Sequence, residues 1–150
     1  MKGRSSLPSG LNMKIDFIMF KEGLDSTLLM VPYMLPLPAV DVREYLDRQG
    51  RSPYKLWFDR LNAPVAAKVA TALTRLSLGD MSNVKGVGSG VFELRIDFGP
   101  GYRVYFGKDG DHLIILLGGG GKQRQQRDIN AAIATWADYK RRKYASDSRL

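Results

Sequence analysis

The residues in this sequence best suited to chemistry are three basic side chains and a phenol. Arg95, Arg103 and Tyr105 lie on two segments, Val91 to Phe98 and Tyr102 to Lys108, that alternate apolar and polar residues and so read as strands. Along the first, Phe92, Leu94, Ile96 and Phe98 point one way and Glu93, Arg95 and Asp97 the other; along the second, Val104 and Phe106 oppose Arg103 and Tyr105. If the Gly99-Pro100-Gly101 turn pairs Phe98 with Tyr102, counting puts Arg95 across from Tyr105 and Asp97 across from Arg103, all on the face away from the core. Lys122 follows Gly118 to Gly121 at the end of an apolar run. Those glycines let the strand end pass close to its neighbours and aim the lysine at the same face. A purely structural use of these residues would pair Arg103 with Asp97 and bury Tyr105 in packing. Lys and Arg outnumber Asp and Glu by 23 to 15, net +8, and a small basic domain of this kind meets phosphate or an acidic protein partner.

Several other chemistries are excluded by the residues themselves. A phosphate loop of the Walker type needs Gly-Lys followed by Ser or Thr, whereas Gln123 follows Lys122. The glycines from Gly86 to Gly90 precede a strand rather than joining a strand to a helix, which argues against a dinucleotide fingerprint. His112 is the only histidine and reads as a strand residue near a turn; the carboxylates lack ligand spacing, so neither a metal nor any other cofactor is expected. Without cysteine there is no disulfide framework, which is compatible with a reducing compartment. No apolar stretch reaches the roughly 18 residues of a membrane span, and the chain reads as soluble.

The elements that must position the basic cluster follow from turn and cap signals. Residues 1–38 show no sustained period and are expected to be an add-on, either a flexible arm or the product of an upstream start with Met34 the natural beginning. From residue 39 to about 145 the pattern is regular and predicts one α+β domain. Val40 and Val42 alternate with Asp41 and Arg43 in a first strand, ended by a turn at 48–52. Ser52 caps a short helix beginning at Pro53, with Trp57, Phe58 and Leu61 as its stripe. A second helix opens around Asn62 to Pro64, runs through Val65, Val69, Leu73 and Leu76, and stops at Gly79, giving a helical hairpin. Residues 83–90 read as a glycine-punctuated loop. An antiparallel three-strand meander follows over about 91–98, 102–108 and 111–118, with Asp109-Gly110 as a two-residue hairpin turn. Its last strand, apolar on both faces, is expected inside the sheet. A C-terminal helix from about Gln126 to Lys143, with Ile129, Ile133, Trp136 and Tyr139 or Lys140 at helical spacing, would cover one face and end in the basic run Lys140 to Lys143.

Four stretches carry a family resemblance: "SPYKLWFDRL", "ALTRLSLGD", "GVGSGVFELRIDFGPGYRVYF" and "LLGGGGKQRQQRDI". Over about residues 38–143 the chain resembles the phage Gp49-like, HigB-type addiction module killer proteins of the RelE/ParE superfamily. The block from Phe92 to Ile129 is the most specific part, and where such proteins usually have Gly-Gly-Asp-Lys this chain has Gly121 in place of the aspartate. The resemblance implies a RelE/ParE-like fold and a cytoplasmic type II toxin neutralised by a cognate antitoxin of helix-turn-helix type. It also implies a metal-independent endoribonuclease acting on messenger RNA, often on the ribosome. In such chemistry the 2′-OH is activated, charge is stabilised on the phosphate and the 5′ oxygen is protonated as it leaves. The implied catalytic set is Arg95 and Arg103 as a phosphate clamp, Lys122 as acid, base or electrostatic group, and Tyr105 as proton donor or stacking platform. Tyr102 would be the weaker substitute for Tyr105, while Arg124, Arg127 and the basic helix end would add backbone affinity. The ParE branch, whose target is DNA gyrase, and a degenerate nonenzymatic binder of antitoxin or nucleic acid are the alternatives the same fold allows.

Overall fold

Local capping signals and alternation place most of the elements. The computed structural model describes residues 40–149, so the expectations for residues 1–38 lie outside the described residues. Strand β1 is Asp41–Glu44. Helix α1, Pro53–Phe58, starts where the Ser52 side chain accepts a hydrogen bond from the Lys55 N–H, and α2, Ala63–Ser77, where Asn62 does the same for Val65. Gly79, at φ +94°, follows the end of α2. Then come β2 (Val84–Gly88), β3 (Val91–Ile96), β4 (Tyr102–Lys108), β5 (Leu113–Gly121), a single 3₁₀ turn at Lys122–Arg124, and α3 (Gln125–Asp147). The result is a mixed α+β arrangement, with one five-stranded sheet in the order β1-β5-β4-β3-β2.

The sheet is larger than the meander expected from the sequence. Residues 84–88, read as loop, pair antiparallel with β3 as an edge strand; Gly86 and Gly88 break the alternation that would have announced it, and the pairing is irregular between them. The first strand joins the opposite edge, parallel to β5, with Val42 beside Ile114. Gly118 to Gly121 do not leave the sheet but extend β5 along β4 as far as Tyr102 beside Gly121. At two of the four a side chain has no room: a Cβ at Gly119 would collide with the Trp57 ring, and one at Gly120 with the Asp128 carboxylate.

Two turns are longer than counted. Ile96, not Phe98, pairs with Tyr102, because Asp97 and Phe98 leave the ladder and Gly101 N–H donates to Phe98 O at 3.0 Å. The register therefore slides by two positions: Arg95 faces Arg103, and Glu93 faces Tyr105. A slide of two preserves the sheet face, so the charged set stays together. The Asp109-Gly110 turn likewise runs from Asp109 to His112 and is closed by Asp109 N–H donating to Leu113 O at 2.8 Å. His112 is thus an exposed loop residue rather than a strand residue.

Both sheet faces are covered. Helices α1 and α2 bury Val69, Leu76, Val104, Phe106 and Leu116 on one face. Helix α3 buries Val91, Tyr105, Ile115, Leu117 and Trp136 on the other. Gly107 lets α3 come close, since a Cβ there would lie 2.5 Å from the Trp136 ring. The far half of α3 is tied down by Tyr45 donating to Asp138 and Tyr139 to Asp109, each at 2.6 Å. No helix among the described residues is long and apolar enough to cross a membrane.

Candidate functional site

The candidate site lies at one end of the sheet, where the charged row of the α3 face runs past the beginning of that helix and Trp57 and Tyr102 approach from the α1 side. Strand pairing sets Arg95 directly opposite Arg103, and Arg103 directly opposite Gly120, so the row leads across three strands to the turn that carries Lys122. Neighbouring strands are about 4.8 Å apart, and like charges placed opposite one another repel. Each arginine is offset by an acid: Arg95 Nε lies 3.2 Å from Asp97 and Arg103 Nε 3.4 Å from Glu93. Their environments differ sharply. The Arg95 side chain is 52% exposed and that of Arg103 only 11%.

Glu93 anchors the row from below. Its side chain is almost fully buried and accepts a hydrogen bond from Gln125 Nε2 at 2.7 Å, which ties the first residue of α3 to β3. Lys85, on β2, lies 4.0 Å from its other oxygen. The Arg103 Nε, although close to Glu93, is buried without a hydrogen-bond partner, as is the Tyr105 hydroxyl. Burial pushes the Tyr105 phenol above its ordinary range, and the charges of Glu93 and Asp128 push the same way. Glu93 stands two residues before Arg95 on the charged face, and that shared face was the signal in the sequence that it belongs to the set. Its partner Gln125 had no such signal.

Two adjoining depressions organise the exposed residues. A depression of about 500 Å³ is lined by Arg95, Arg103 and Lys122 together with the Gly99-Pro100-Gly101 turn. A larger one of about 840 Å³ takes in Tyr102, Lys122, Arg124 and Arg127, with Trp57 and Asp128. Lys122 borders both. Six of the seven residues singled out from the sequence therefore meet around one basic surface. Tyr105 does not: it is fully buried between the sheet and α3, so its ring offers no stacking platform and its hydroxyl no route to a bound molecule. The expected partner positions are also corrected, since Arg103 meets Glu93 rather than Asp97. At the basic end of α3, Arg141 and Arg142 pair with Asp138 and Lys143 with Asp109, while all three remain partly exposed. Among the described residues no three of His, Cys, Asp and Glu gather as a metal site would require.

The domain is thus a mixed α+β fold whose cations cluster around two depressions at one end of the sheet, an arrangement that attracts anions. Residues 56–136 match the family described as phage derived protein Gp49-like (DUF891), and the chain belongs to that family. A protein of Haemophilus influenzae, described as uncharacterized, is 44% identical over 77 residues, covering 51% of this chain and 78% of the relative. The Gp49-like family is linked to toxin-antitoxin modules, which implies an antitoxin partner. The matched span contains every residue of the basic surface named above.

Proposed function

We propose that this protein is the toxin of a type II toxin-antitoxin module and a metal-independent endoribonuclease that cuts messenger RNA and so inhibits translation. One observation carries the reading: Arg95, Arg103 and Lys122 border a single depression, although two of them face each other across a strand pair at an electrostatic cost. A bound phosphodiester offsets that repulsion, and guanidinium groups match its oxygens two at a time. In the proposed step the 2′ oxygen forms a bond to the adjacent phosphorus as the bond from phosphorus to the 5′ oxygen breaks. The 2′ proton passes to water. Arg95 and Arg103 stabilise the charge that develops on the phosphoryl oxygens, and the Lys122 ammonium supplies the proton taken by the leaving 5′ oxygen. Arg124 and Arg127 hold the flanking backbone, and Tyr102 is the aromatic residue available for stacking. Tyr105 acts below the site as packing. A RelE/ParE-like, HigB-type assignment agrees with this chemistry, with messenger RNA on the ribosome as the target.

The test is cleavage of a defined messenger RNA by purified protein, with and without ribosomes, run beside a DNA gyrase supercoiling assay. Cleavage that disappears in Lys122→Ala and Arg95→Ala, together with relief of growth arrest by both variants, is the expected result. Inhibited supercoiling without RNA cleavage would replace this reading with a gyrase inhibitor. Full toxicity in both folded variants would remove the site.

A further inference from the structure

The larger depression is more than a phosphate needs, and its walls differ from those of the smaller one. Its volume of about 840 Å³ is ample for a nucleoside, pockets for small ligands running to roughly 300–1,000 Å³. Half-buried Trp57 and Tyr102 give it aromatic surface, a property every base can exploit by stacking. It joins the smaller depression at Pro100, Gly101 and Lys122, so a nucleotide whose phosphate sits at the arginines reaches directly into it.

One wall residue is out of keeping with the rest. Asp128 is an acid among Arg60, Arg124 and Arg127, and its side chain is only 18% exposed. Its contact with Arg127 Nε, at 4.0 Å, is too long for a hydrogen bond. Burial holds this carboxyl above its ordinary range, opposed only by the charges of Arg127 and Arg124, with no hydrogen bond contributing. A desolvated carboxylate without donors is costly to keep. Gly120 keeps the space for it, because any side chain there would occupy the carboxylate's position.

Two carboxylate oxygens call for two donors side by side. Guanine alone among the four RNA bases meets that demand on its Watson–Crick edge, with the N1 imino and N2 amino groups adjacent. Uracil offers one imino hydrogen between two carbonyls, whereas adenine and cytosine set an amino group next to a ring nitrogen that accepts. We infer that this depression is a base-binding subsite in which Asp128 selects guanine, stacked against Trp57 or Tyr102, in the nucleotide adjoining the bound phosphate. The inference rests on reading this surface as an RNA site.

Binding of the four nucleoside 3′-monophosphates to the full chain tests it without requiring cleavage. Trp57 and Trp136 are the only tryptophans, and Trp136, on α3, is buried against the sheet, so quenching of fluorescence that is lost in Trp57→Phe reports this depression. The expected result is guanosine 3′-monophosphate binding at least tenfold more tightly than the other three, with the preference abolished in Asp128→Asn, which presents one acceptor and one donor. Equal binding of all four by the unaltered protein, or a guanine preference that survives Asp128→Asn, overturns the inference. A second arm maps cut sites in a random-sequence RNA. Guanine enrichment beside the cut that disappears in Asp128→Asn supports the inference, and cutting without guanine enrichment overturns it. A guanine preference among the mononucleotides with no RNA cleavage would remove the nuclease reading and leave the base subsite standing.

Discussion

The two faces of the sheet are built by opposite rules. Under α1 and α2 every strand contributes apolar side chains, and Val104 and Phe106 of β4 are wholly buried against Val69 and Leu76 of α2. Under α3 the apolar set stops partway: Val91, Tyr105, Ile115 and Leu117 are covered, but the row of Arg95 and Arg103 continues into open depressions. The first face is optimised for burial, worth about 25 cal/mol per Å² of apolar surface. The second sets aside part of its area for charges that repel one another. The two faces thus differ in how much of their area is given to apolar burial, and substitutions on the two sides should differ in what they damage.

The largest effect is expected on the apolar face. Phe106→Ala empties a site with no solvent exposure and should lower unfolding free energy by about 3–5 kcal/mol in denaturant titration; a loss under about 1 kcal/mol would break the contrast. Glu93→Ala comes next. It strips Arg103 and Gln125 of their shared partner and should cost about 2 kcal/mol, less than the ~3–5 of a fully enclosed pair because Arg103 opens onto a depression. Glu93→Gln should recover part of that loss while leaving RNA affinity altered, and an unchanged denaturation midpoint in Glu93→Ala would mean that Glu93 is not the anchor.

A smaller effect concerns pH and the phenols packed between the helices and the sheet. Tyr54, Tyr105 and Tyr139 are all raised above the ordinary value of 10.0, chiefly by burial. A raised folded-state value means that the folded protein holds the proton more tightly. The stabilisation is therefore complete below pH 10 and falls as pH rises above it. Near-ultraviolet circular dichroism should show cooperative loss of structure beginning above pH 10, displaced upward in Tyr105→Phe. A midpoint indifferent to that substitution would place the strain elsewhere. The smallest effect on stability belongs to Arg95→Ala, within about 0.5 kcal/mol, because its pair with Asp97 is exposed on both sides. RNA binding should nevertheless weaken, with a salt slope shallower by about 1; unchanged binding would detach Arg95 from the site.

Much of this contrast was legible in the sequence. Alternation over 91–98 and 102–108 assigned Arg95, Arg103 and Tyr105 to one face, and a register slid by two positions left that assignment intact. What the pattern could not supply was depth. Tyr105 and Arg103 alternate identically, yet Tyr105 lies beneath α3 and Arg103 at the margin of a depression. Periodicity reports direction, whereas burial depends on where a helix from elsewhere in the chain ends. The same limit hid β2, whose glycines erase alternation and whose strand status rests on pairing with β3. It hid Asp128 too, since a lone acid in a basic stretch shows nothing of its environment until α3 is laid against Gly120.

By itself, then, the sequence determined what short-range physics controls. The caps at Ser52 and Asn62, the stop at Gly79 and the in-and-out order of the central strands are each decided by steric and hydrogen-bonding preferences within a few residues. The tertiary structure alone decided which strands lie side by side, that Glu93 would serve Arg103 and Gln125 together, and that Trp57, Lys122 and Asp128 would share one depression. Those are contacts between residues far apart in the chain, and they form only when helices from separate parts of the chain are laid against the two faces of one sheet.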